Sequence, residues 1–91
     1  MVKPNVVYGE EDIEFLEDLK YVVEHHGEFM FDYKGKEYRI EFLHGKLCAY
    51  LDEANTPEYF FEDLDDLMEH YLLDGVPFKD IIPDIEAYGA L

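Results

Sequence analysis

EFMFDYKGKEYRIEFLHGKLCAYL, residues 28–51, decides the fold. Apolar and polar residues alternate through 28–33, 36–43 and 46–51, the period of a β-strand with one face buried. Phe29, Phe31 and Tyr33, then Tyr38, Ile40 and Phe42, then Leu47, Ala49 and Leu51 share the inner face, while Asp32, Glu37, Arg39 and Glu41 point outward. Lys34-Gly35 and His44-Gly45 place glycine where two-residue hairpins need positive φ. The three strands therefore form an antiparallel meander whose apolar face needs a cover.

The flanking segments carry that cover. From Gly9 to His26 the pattern is helical, with Ile13, Leu16, Leu19 or Lys20, and Val23 along the apolar stripe and Phe15 and Val22 widening it. Glu10, Glu11 and Asp12 suit the positive N-terminal end of that helix, and Gly27 suits its stop. Downstream, Leu64, Leu67, Met68 and Tyr71 recur at i, i+3, i+4 and i+7, the spacing of a second helix. Leu73-Asp74-Gly75 reads as its C-terminal cap. Pro77 then opens a third, short helix with Phe78, Ile81, Ile82 and Ile85 inward. Tyr59-Phe60-Phe61 reads as a short fourth strand rather than a helix running on from Thr56-Pro57.

The expectation is a single α+β domain over 1–91: an N-terminal helix, a three- or four-stranded antiparallel meander, and two C-terminal helices packed on one sheet face. Residues 1–8 read as an extended arm, because Pro4 disfavours helix before it, and 87–91 as a frayed tail.

Twenty-three acids face seven bases, a formal net charge of −16. Such a chain repels phosphates, so direct binding to nucleic acid or to an anionic membrane is excluded as a leading function. Residues 53–91 hold 11 acids and one base, whereas 28–52 hold five and four. The helical parts thus carry the negative field. No apolar run is long enough to span a bilayer and no signal peptide is visible, and Cys48 has no second cysteine to pair with. These features place the protein in the cytoplasm.

No catalytic or cofactor signature emerges. His25 and His26 are adjacent and so about 100° apart on a helix, not the i, i+4 pair that grips a metal. Asp63-Leu64-Asp65-Asp66 has the composition of a calcium loop without its glycine at the sixth position, where Met68 stands. Cys48 and His44 are the one thiol and base that could be drawn together, yet no basic cluster adjoins the thiol to activate it. No enzyme, cofactor or metal is expected.

The motifs Tyr33-Lys34-Gly35-Lys36-Glu37-Tyr38, Gly45-Lys46 and Leu73-Asp74-Gly75-Val76-Pro77-Phe78-Lys79-Asp80-Ile81 lie within residues 28–82. In them the chain resembles small acidic proteins of unassigned function encoded by bacteria, phages and mobile elements. That resemblance implies a bacterial or phage origin and no activity, cofactor or site residues.

The functional expectation is a non-enzymatic domain that binds a basic protein surface through Glu58, Glu62, Asp63, Asp65, Asp66, Glu69 and Asp74. A sharper form is imitation of a nucleic acid before a protein that normally binds one, as phage-borne inhibitors of defence nucleases do. The rival expectation is a homodimer or small oligomer joined through outward aromatics, with Phe15, Tyr21, Met30 and Tyr50 as candidates. If the acids of 53–86 stand unpaired, their repulsion makes stability rise as pH falls from 7 to 5 and as salt is added.

Overall fold

The computed structural model describes residues 8–90. Within them the chain is α+β, in the order α1 (Glu10–Glu24), β1 (Phe29–Tyr33), β2 (Lys36–Leu43), β3 (Lys46–Leu51), β4 (Glu58–Phe61), α2 (Leu64–His70), β5 (Leu72–Leu73), β6 (Val76–Pro77), α3 (Phe78–Ile81), a 3-10 turn (Ile82–Asp84) and β7 (Ala87–Ala90). The expected arm at 1–8 falls almost wholly outside the described residues. Tyr8 is described, and its hydroxyl donates to the Lys79 carbonyl at 2.6 Å.

The main sheet has five antiparallel strands in the order β4-β3-β2-β1-β7. Its centre is the meander. Lys34 and Gly35 turn β1 into β2 with φ of 51° and 75°, and His44 and Gly45 turn β2 into β3 with φ of 54° and 77°, the positive values that a right-twisted two-residue hairpin requires. The resulting register sets Phe29 beside Ile40, Ile40 beside Ala49 and Ala49 beside Tyr59. The aromatics at 59–61 lie in β4, a true fourth strand at one edge.

Three elements differ from the sequence reading. Helix α1 keeps its place, but its inward face is centred on Phe15, Leu19 and Val22, all buried, while Ile13 is 49% exposed. Two stripes about 100° apart on this helix are both apolar, and the large ring wins because it reaches three other aromatic rings. Phe15 stands edge-on to Phe29 at 5.2 Å and to Tyr88 at 4.9 Å, and tilted to Phe78 at 6.1 Å. The helix stop also differs: His26, not Gly27, takes the left-handed conformation, with φ of 53°. The amide of His26 bonds the Val23 carbonyl and that of Gly27 the Val22 carbonyl, the paired bonds of a Schellman stop. The His26 ring lies flat on Phe42 at 3.9 Å.

Helix α2 ends at His70 rather than at Asp74-Gly75. Tyr71 is already extended, with ψ of 108°, and Asp74 and Gly75, with φ of 53° and 80°, turn a small β5–β6 hairpin instead. The same Asp-Gly chemistry that ends a helix also makes a hairpin turn. Finally, residues 87–90 are not a frayed end. They form β7, which pairs with β1 so that Tyr88 sits opposite Phe31 and Gly89 opposite Met30.

One core joins these elements. Phe78 of α3 meets Phe31 at 5.3 Å and Tyr71 at 6.2 Å, while Leu19, Ile40, Leu47, Leu67 and Ile81 are buried within the same cluster. Burying side chains of this size stabilises by roughly 1.5–3 kcal/mol each, before the entropy of ordering them is subtracted. On the opposite sheet face Arg39 is held by Glu28, by Glu37 at 3.2 Å and by Asp52 at 3.2 Å. The Glu28 carboxylate, ahead of Asp52, raises the affinity of that guanidinium for its proton.

Candidate interaction surface

Six of the seven carboxylates singled out from sequence are engaged within the fold. Asp63 caps α2 by accepting the Asp66 amide at 2.8 Å, and Asp66 accepts the Glu62 amide at 2.9 Å while pairing with His70 at 2.7 Å. Those two contacts, the backbone amide first, hold the Asp66 carboxyl below its ordinary range. Glu62 pairs with Lys46 at 2.9 Å, Glu69 with Lys79 at 2.7 Å and Asp74 with Lys34 at 3.2 Å. Glu58 accepts the Cys48 thiol at 3.5 Å. Asp65 alone of the seven makes no such contact among the described residues. The expectation of an unpaired acidic surface over 53–86 therefore fails for most of the residues that defined it. Acids at a helix N-terminus cap its free amides, and the few bases in the chain pair with the rest.

A run of unengaged acids lies on α1. Asp12 accepts the Gly9 amide at 2.8 Å and Asp18 accepts the Tyr88 hydroxyl at 2.7 Å. Glu10, Glu11, Glu14, Glu17 and Glu24 make no hydrogen bond or ion pair among the described residues. Glu11, Glu14, Asp18, Tyr21 and His25 are spaced i, i+3, i+7, i+10 and i+14, which puts them in one stripe along the helix. That stripe borders β7.

Between α1 and β7 runs a furrow of two hollows that share Tyr88. The first, about 360 Å³, has Glu11 and Glu14 on one side and Glu86 and Ala87 on the other. The second, about 380 Å³, is lined mainly by carbon, with Tyr21, Val22 and His25 facing Phe29, Gly89 and Ala90. Tyr88 forms the divide. Its ring lies against Phe29 at 5.5 Å, and its hydroxyl reaches Asp18. The bond to Asp18, with burial second, pushes the Tyr88 phenol up to about 12. The sequence alone does not reveal this furrow because it needs β7, whose residues read as a loose end; the spacing of 11, 14, 18, 21 and 25 is the available signal.

The residues weighed for chemistry are dispersed. The His25 ring makes a 2.8 Å contact with the Tyr21 carbonyl, His26 lies on Phe42 and His70 on Asp66. Among the described residues no three of His, Cys, Asp and Glu converge to hold a metal. Cys48 is fully buried, and burial together with Glu58 pushes its thiol up to about 12. A thiolate nucleophile needs the reverse. Among the described residues no helix is long and apolar enough to cross a membrane. No family model, curated protein or solved structure matches the chain.

Proposed function

We propose that the protein works by binding, not catalysis, and that it docks on a basic protein surface through the acidic face of α1. The observation that carries this reading is the contrast between the two acidic regions: the carboxylates of 58–74 are mostly engaged in the fold, whereas Glu10, Glu11, Glu14, Glu17 and Glu24 are not. A row of unneutralised carboxylates on a rigid helix steers a basic partner and repels an acidic one. Successive members at i, i+4 and i+7, as in Glu10, Glu14 and Glu17, also set fixed negative charges about 4.5–6 Å apart along the helix axis. The sharper reading, imitation of a nucleic acid, rests on that regularity. A lone buried thiol suits a reducing compartment such as the cytoplasm.

The test is a pull-down at low and high salt beside a Glu10→Gln, Glu14→Gln, Glu17→Gln variant. Nucleic-acid-binding proteins recovered by the natural chain, and lost both at high salt and with the variant, support the reading. An empty eluate at low salt refutes it.

A second reading, self-association, has its own support. Phe15 is buried and leaves the set of outward aromatics, but Tyr59, Phe60 and Leu72 are 49%, 45% and 57% exposed. Tyr59 and Leu72 border one shallow hollow of about 180 Å³. Scattering across a concentration series decides it, and a strictly monomeric mass at high concentration removes it.

A further inference from the structure

The two edges of the main sheet are built differently. β4 is entered through Pro57, begins at Glu58 and is followed by Glu62, and proline and charge are the usual guards against an added strand. β7 is Ala87-Tyr88-Gly89-Ala90, with no charge, no proline and an unbroken register against β1. Among the described residues no strand pairs with the outer side of β7, and the furrow between it and helix α1 is two open hollows parted by Tyr88 where its hydroxyl meets Asp18.

We infer that the free edge of β7 accepts an extended, basic segment of a partner protein as a sixth strand, seated in the furrow beside α1. Backbone bonds to β7 supply affinity in such an arrangement, and the side chains that alternate toward the helix supply selectivity. Every neighbouring pair in the sheet is antiparallel, so the added strand runs against β7. Its first helix-facing residue then meets the apolar hollow at Tyr21, Val22 and Ala90, and the next ones meet Glu11, Glu14 and Glu86. The segment is therefore apolar at one position and Lys or Arg two and four positions later. Charge selects this occupant over a second copy of the chain, which would bring another −16 against the same carboxylates.

This inference rests on the acidic-surface reading and is separable from it. The probe is a synthetic seven-residue peptide with Val, Lys and Lys at alternate positions and Thr between, compared with the same peptide N-methylated at the amides that would face β7. Methylation keeps charge and side chains but removes the ladder bonds, so affinity is expected to fall about tenfold or more. The unmodified peptide is also expected to shift and protect the amide signals of 87–90 and to bind less tightly as salt rises. Equal binding by the methylated peptide overturns the added strand while leaving an acidic docking face. Binding by neither peptide overturns the added strand, and the acidic-surface reading is then judged by its own pull-down. Concentration-dependent protection of 87–90 without peptide, with a doubled mass, assigns the edge to a second copy and also overturns it.

Discussion

Replacing Phe15 and Ile13 by alanine, one at a time, tests the orientation of α1 on which both the core and the furrow depend. Phe15 is 3% exposed and touches the rings of Phe29, Phe78 and Tyr88. Removing a buried phenylalanine costs about 3–5 kcal/mol, because lost transfer energy is joined by a cavity that neighbouring rings fill only in part. Loss of its edge-on contacts favours the upper half of that range. A domain of this length has only about 5–14 kcal/mol of stability, and a 4 kcal/mol loss lowers Tm by roughly 15–30 °C. Ile13 is half exposed, so Ile13→Ala should cost about 1 kcal/mol or less. Urea unfolding of both variants, followed by circular dichroism with the m-values compared, measures the two costs. Equal costs, or a larger one at Ile13, would mean that the helix is rotated and that Glu11, Glu14 and Asp18 do not border β7.

Gly75→Ala meets no atom within 4 Å of the new Cβ but forces alanine to φ of 80°, so its cost should be the backbone strain alone, about 1–2 kcal/mol in the same urea assay. A neutral result would mean that the β5–β6 turn relaxes freely. Asp66 has a folded pKa below its unfolded value, so its contribution is present above about pH 4 and is lost as pH falls through the folded value. Asp66→Asn should therefore cost most near neutral pH and progressively less as pH falls through the folded value, and a cost that stays constant in an acid titration contradicts the bonds of Asp66 to the Glu62 amide and His70. Cys48, buried and with its thiol raised to about 12, should react with a thiol reagent at pH 8 only as the protein opens, so rapid labelling of the folded chain would place it elsewhere.

The meander was legible because its signals agree. Strict alternation, two glycine turns and β-rich composition all favour one register, and β1 buries Phe29, Phe31 and Tyr33 as that alternation requires. The phase of α1 was not, since Ile13–Leu16–Val23 and Phe15–Leu19–Val22 are both acceptable helical stripes until the rings of β1 and α3 choose between them. Asp74-Gly75 was ambiguous for a chemical reason, as one dipeptide serves a helix stop and a hairpin equally well. β7 was invisible because alanine and glycine give no alternation, leaving only Tyr88 to mark its inner side. The structural use of the acids of 58–74 was not legible, because composition gives charge without saying which amide or base will engage it. Asp63, Asp66 and Glu62 look like an exposed cluster in sequence and turn out to build the start of α2.

The position of β7 in the sheet also sets an order of events during synthesis. β1 pairs with β2 across a two-residue turn, whereas its other neighbour lies more than half the chain away. A ribosome therefore delivers α1, the meander and α2 well before the strand that completes them. Until Tyr88 arrives, Phe15 and Phe29 lack one of their shared neighbours and the backbone of β1 is open along one side. Non-local pairing of this kind closes slowly compared with a hairpin. The nascent chain thus passes through a stage in which the unpaired side of β1, later covered by residues 87–90, is its most adhesive feature, and the heavy negative charge of the emerging helix keeps neighbouring copies apart while it waits.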